Sequence, residues 1–160
     1  DACAAWSNKA LGEIGGFRWV LAGEDAIATS MLLKKGHRVA YVAEARVHHS
    51  HSYGPKKEFF RHFDTGIYRR KWEKVLDFGS GGDQGRGAKY AKGLIRKTAK
   101  EEPFRLPRVI FQIGMGYLGY LTGRFAYKYV PNEVKKVISH SEFSWNSENF
   151  ASGRWEEPAE

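Results

Sequence analysis

Residues 14–51 read IGGFRWVLAGEDAIATSMLLKKGHRVAYVAEARVHHSH, and the order of elements in this stretch decides the fold class. Gly15-Gly16 stops a short first helix that runs through Leu11 to Ile14, with Asn8 as its expected cap. Phe17 to Leu21 reads as a short extended segment. A second helix is expected to start at Glu24-Asp25, where acids meet the positive end of the helix dipole, and to stop at Lys34-Lys35-Gly36. Arg38–Val42 (RVAYV) and Ala45–His49 (ARVHH) then have the β-branched character of short strands. Helices and strands exchanging every ten residues or so predict an α/β architecture for this part of the chain.

Downstream the period changes. Phe59, Phe60, Phe63 and Ile67 recur at three- and four-residue steps, the spacing of one buried helix face. Further helices are expected near 89–100, 106–129 and 132–139, punctuated by Pro103, Pro107 and Pro131. The glycine-dense run GSGGDQGRG, 79–87, reads as a loop or linker. The expected organisation is thus an α/β part over 1–78, a glycine-rich linker over 79–88, a basic helical region over 89–145, and an acidic tail over 146–160.

Charge is uneven along the 160 residues. The segment 56–136 holds 19 lysines and arginines against eight acids, whereas the whole chain carries +8. Such a concentration of cations suits anionic partners: nucleotide phosphates, nucleic acid or an acidic membrane face. No nucleic-acid motif accompanies the charge, so nucleic acid is set aside. A hydrophobic content of 42% supplies a core and argues against wholesale disorder. The one cysteine, Cys3, excludes an intrachain disulfide and a zinc site of the mixed Cys/His type. The apolar run Val109–Leu121 is too short to predict a membrane span. With no leader pattern at Asp1, the expectation is a cytoplasmic protein, peripheral at the inner face of the cell membrane.

Two glycine patterns are discounted as nucleotide sites. Gly114, Gly116 and Gly119 fit GxGxxG but lack a convincing preceding strand, so close helix packing or a membrane-surface helix explains them better. Gly82 and Gly87 have the interval of a phosphate loop without its lysine and hydroxyl. More informative are His49 and His51, which alternation places on one face of a strand, a partial metal site in which imidazole nitrogens are the donors. A hydrogen-bonded strand end is the plainer alternative. Glu24-Asp25 pairs acids at a helix start, where capping competes with proton transfer as their role.

Taken together, Ile14-Gly-Gly-Phe17, Gly23-Glu-Asp25, Met31–Gly36, Val39-Ala-Tyr-Val42 and Val47-His-His-Ser-His51 resemble the second half of a nucleotide-sugar glycosyltransferase of the GT-A fold, glycosyltransferase family 2. Glu58-Phe59, Arg61, Phe63-Asp-Thr-Gly66, Gly119-Tyr-Leu-Thr-Gly123-Arg, Tyr129-Val-Pro131 and Ile138-Ser-His140 continue the likeness, which is similar to bacterial rhamnosyltransferases through about residue 145. The resemblance implies an inverting transfer of a sugar, with rhamnose as the candidate, from a nucleotide-diphosphate donor to a saccharide or lipid-linked saccharide acceptor in cell-surface polysaccharide synthesis. It implies Asp25 as general base with Glu24 in support, and a divalent cation, magnesium or manganese, held in part by His49 or His51. Trp19 is the candidate for stacking on a sugar ring, with a buried structural role as its alternative, and Arg61 and Arg69 are candidates for phosphate. The Asp-x-Asp motif of the family's donor half does not occur in these residues, so the resemblance implies a carboxyl-terminal part that is inactive alone. The contrasting expectation is a non-catalytic basic module that docks on anionic membrane or polysaccharide.

Overall fold

The computed structural model describes residues 3–49, 51, 53–77 and 83–146. Its organising element is helix α3, Pro55–Lys71, which follows α1, Asn8–Glu13; α2, Glu24–Lys34; and an irregular stretch between α2 and α3. Pro55 opens α3 at a position where a missing N–H costs nothing, and Arg69, Arg70 and Lys71 close it at the negative end of its dipole. The expected apolar face is real: Phe63 and Ile67 are fully buried. Burying each of those side chains stabilises the fold by roughly 1.5–3 kcal/mol.

After α3 come α4, Glu73–Leu76; α5, Asp83–Glu101; α6, Leu106–Leu121; α7, Asn132–Ile138; and α8, Glu142–Trp145. A short 3-10 turn, Pro103–Arg105, joins α5 to α6, and α6 runs on into a widened π turn over Thr122–Ala126. Three apolar clusters make up the core, two of them built on α3 or its end. Leu21, Phe63, Ile67 and Trp145 form the first. Ile14, Ala28 and Leu32 tie α1 to α2, and Ile27, Tyr68 and Trp72 tie α2 to the end of α3.

Helix α6 crosses α3 at backbone contact. A Cβ on Gly119 would strike the carbonyl of Phe59, one on Gly123 the carbonyl of Phe63, and one on Gly66 would sit 2.7 Å from the Arg124 amide nitrogen. Gly116 faces the His62 ring at 3.1 Å, while Gly114 meets open space. The glycine pattern of this helix therefore serves close packing through Gly116, Gly119 and Gly123.

Several local expectations change. Ser7, not Asn8, caps α1, its hydroxyl accepting from the Ala10 amide at 3.3 Å. Among the described residues no strand forms: 17–21, 38–42 and 45–49 are irregular, with a turn closed by the Ala45 amide on the Val42 carbonyl. A strand needs a neighbouring ladder, and no described backbone lies alongside these segments, which leaves Val39, Tyr41, Val42 and Val47 exposed. The glycine-rich run is helical from Asp83 onward rather than a loop through 88, since its glycines extend the helical ladder propagating from the amphipathic part of α5. The remainder of that run, 79–82, and the acidic tail beyond Asn146 lie outside the described residues.

Candidate functional site

The loop before α2 ends in Gly23, whose φ of 79° is left-handed and whose Cα lies against Tyr68 so closely that a Cβ would sit 2.6 Å from the ring. Only glycine meets both demands. This contact seats the first turn of α2 on the C-terminal half of α3. Glu24 points to solvent, and Asp25 is half-buried with Oδ1 accepting from the Ala26 amide at 2.7 Å. Burial pushes the Asp25 carboxyl up, and the hydrogen bond from the Ala26 amide draws it down. Trp19, in the same loop, is 61% exposed among the described residues.

The other predicted residues collect at the N-terminal half of α3. His49 and His51 meet edge to face with ring centroids 4.4 Å apart, and His51 stacks on Tyr53 at 5.0 Å. His140 approaches the Tyr53 edge at 5.6 Å, and the Arg61 guanidinium lies over the same ring at 5.7 Å. The Gln112 amide donates to the Tyr53 carbonyl at 2.8 Å and so fixes this hub to α6. Arg61 also pairs with Glu58 at 3.1 Å. Arg69 sits elsewhere, with its guanidinium over Tyr68 at 5.6 Å, next to the ring that supports Gly23.

Between these two ends lies Asp64, an acid on the buried face of α3 that is 1% exposed. Its Oδ2 accepts from the Ser139 hydroxyl at 3.0 Å, the His140 amide at 2.9 Å and the Ser141 amide at 3.0 Å. The Ser141 hydroxyl in turn donates to the Leu21 carbonyl at 2.6 Å. Burial dominates the Asp64 carboxyl and pushes it up to about 6, although these hydrogen bonds act in the opposite direction. Oδ1 is buried without a hydrogen-bond partner. Asp64 thus joins α3, the segment 139–141 and the loop that carries Trp19 and leads into Asp25 at the start of α2.

His49 and His51 offer two imidazoles, but no group of three or more His, Cys, Asp or Glu is arranged to hold a metal among the described residues. Magnesium and manganese favour oxygen donors, and none joins the histidine pair here. Sequence reasoning singled out His49, His51, Arg61 and Asp25 but missed Tyr53, His140 and Asp64 as parts of the assembly. An acid adjoining Phe63 on the apolar face of α3 is the signal that could have found Asp64.

No family model matches the chain, and no solved structure matches it. It is similar, however, to enzymes that carry the description of rhamnosyltransferases acting on the O-antigen chain. One is the O-antigen chain rhamnosyltransferase WbaN of Salmonella anatum, and another is the O-antigen chain rhamnosyltransferase RfbN of Salmonella typhimurium. Each is 32% identical over 157 residues, a match that takes in 96% of this chain and 49% of the relative. The chain spans about half the length of these curated relatives.

Proposed function

We propose that the chain is the acceptor-side part of an inverting glycosyltransferase, which moves rhamnose from a nucleotide-diphosphate donor to a saccharide hydroxyl in cell-surface polysaccharide synthesis. The observation that carries this reading is the similarity over 96% of the chain to two O-antigen chain rhamnosyltransferases. In it, Asp25 takes the proton of the acceptor hydroxyl as its oxygen attacks the anomeric carbon. The bond from that carbon to the diphosphate breaks on the opposite side, and the diphosphate leaves with the electron pair. A positioned base of this kind contributes about 100- to 10,000-fold. Its seat on a glycine-fixed helix start supports the role.

Glu24, exposed beside it, adds negative charge at the acceptor side, and Trp19 offers its open face to a sugar ring. Arg61 and Arg69, one in each half of α3, are the proposed contacts for phosphate oxygens. A bound magnesium or manganese would neutralise charge on the leaving diphosphate. His49 and His51 would give it at most two nitrogen donors, short of the oxygen-rich set such an ion prefers. The GT-A sheet is likewise proposed to lie outside this chain, with 38–42 and 45–49 pairing onto it and covering Val39, Tyr41, Val42 and Val47. On this reading the chain alone does not turn over, and the whole enzyme works in the cytoplasm at the inner face of the membrane.

Asp25→Asn in the full-length enzyme tests the base. Transfer should fall at least about 100-fold with the folded state intact; a folded variant that retains near wild-type transfer removes Asp25 from the role. A second reading, a basic module that docks on anionic membrane or polysaccharide, is favoured by the exposed apolar and cationic faces of α5 and α6. It is compatible with the first.

A further inference from the structure

Helix α6 has two unlike sides. Toward α3 it presents Gly116 and Gly119, both buried. Away from that contact Ile110, Phe111, Tyr117 and Leu118 are 50%, 59%, 62% and 53% exposed, with Phe111 at the edge, where it shares a groove with Pro55, Phe59 and Phe60 of α3. At 100° per residue these four fall within an arc of about 120°, and no charged residue shares it. The 3-10 turn that leads into α6 carries Phe104, which is 99% exposed. An apolar surface of this extent on one helix is not explained by the fold of the chain.

Cations surround it. Arg105 and Arg108 stand at the start of α6, and Lys128 follows its end, all exposed. On α5, Ala91, Leu94, Ile95 and Thr98 form the half-buried side. Lys89, Lys92, Arg96 and Lys100 line the opposite side within an arc of about 80°. The two acids of the connection, Glu101 and Glu102, are already paired with Lys97 at 3.9 Å and Arg105 at 2.8 Å, so they do not neutralise this stripe.

We propose that the α5–α6 hairpin is the surface by which the protein docks on an anionic bilayer. Phe104 and the outer side of α6 enter the boundary between headgroups and acyl chains, and the α5 stripe meets lipid phosphates. Charge complementarity selects this occupant: the centre of a protein interface is depleted in lysine, whereas an interfacial helix combines an aromatic and aliphatic side with lysine and arginine. No described helix is long and apolar enough to cross a membrane, in keeping with a helix that lies on the surface. This deepens the membrane placement proposed above by naming its face, and it does not depend on the transfer chemistry.

The test is flotation of the full-length protein with phosphatidylcholine vesicles, with and without phosphatidylglycerol, at low and high salt. Binding is expected only with phosphatidylglycerol and should weaken as salt rises. Replacing Lys89, Lys92, Arg96 and Lys100 by glutamine should cost about fivefold in partitioning per cation. Phe104→Glu should cost about tenfold or more. All five side chains are exposed, so melting temperature should hold in both variants. A fluorophore on Tyr117→Cys in a Cys3→Ser background should shift to the blue on the anionic vesicles alone. Absence of binding to anionic vesicles, wild-type binding by both variants, or a label already buried without lipid in a self-associated protein overturns the proposal. Transfer to a soluble acceptor, run in parallel, separates the two ideas: if transfer persists without vesicle binding, the docking face falls and the transferase reading stands.

Discussion

Asp64 offers the sharpest test of how this chain is held together. Its carboxyl rises from 3.8 to about 6 on folding because it is buried. A rise of about 2 units corresponds to about 3 kcal/mol between the two protonation states. The sign follows from proton uptake: between these two values the folded chain binds a proton that the unfolded chain does not. The associated stability is fully present below pH 3.8 and is lost as pH rises through about 6. Asp64→Asn keeps the shape and an acceptor for Ser139, His140 and Ser141 but has no proton to exchange. Urea unfolding of both proteins across this range, subtracted pairwise to cancel every other titrating group, should show wild type losing about 3 kcal/mol relative to the variant from about pH 4 to pH 7. A flat difference refutes the reasoning. A difference of opposite slope shows that the three donors to Oδ2 outweigh desolvation. Asp64→Ala, which strands the Ser139 hydroxyl and two amides, should cost about 3 kcal/mol or more and speed hydrogen exchange at His140 and Ser141.

The glycine crossing makes an equally plain prediction. Gly119→Ala and Gly123→Ala each force backbone apart and should lower stability by about 1–3 kcal/mol or more in thermal or urea unfolding, whereas Gly114→Ala, facing open space, should be neutral or stabilising by up to about 1 kcal/mol. Gly23→Ala combines a strained φ with a clash on Tyr68 and should disturb the α2 start, read as lost transfer in the full-length enzyme as well as lost stability. For the proposed cation, His49→Ala and His51→Ala should shift the manganese dependence of transfer to different extents; titrations identical to wild type in both would remove the histidine pair from metal binding.

Periodicity made the helices legible. The three- and four-residue recurrence of Phe59, Phe60, Phe63 and Ile67 located α3, and Gly36 with the preceding lysines marked the end of α2. Strands are absent from the described residues for a physical reason. Arg38–Val42 and Ala45–His49 have strand-like side chains, but a strand is stabilised by a partner that local composition does not reveal. Helix α5 starts earlier than expected because glycine penalises a helix by only about 1 kcal/mol per residue, which a continuing ladder offsets. At the site, local pattern found Asp25 and the histidine pair. It did not find the joint at Asp64, because its partners lie 75 to 77 residues away. Nor did it find the hub at Tyr53, which depends on His140 arriving from the end of the described chain.

The closure of Ser141 on Leu21 spans 120 residues, and Trp145 completes the cluster that shields Leu21 and Phe63. During synthesis at about 5–20 residues per second, the loop bearing Trp19 and Asp25 would leave the ribosome about 6–24 s before the segment that anchors it. Until then Asp64 lacks its donors and Phe63 lacks its cover. The nascent chain therefore offers a window in which chaperones have an apolar target, and proteolytic trimming near Ser139 would release a loop that lies more than a hundred residues upstream.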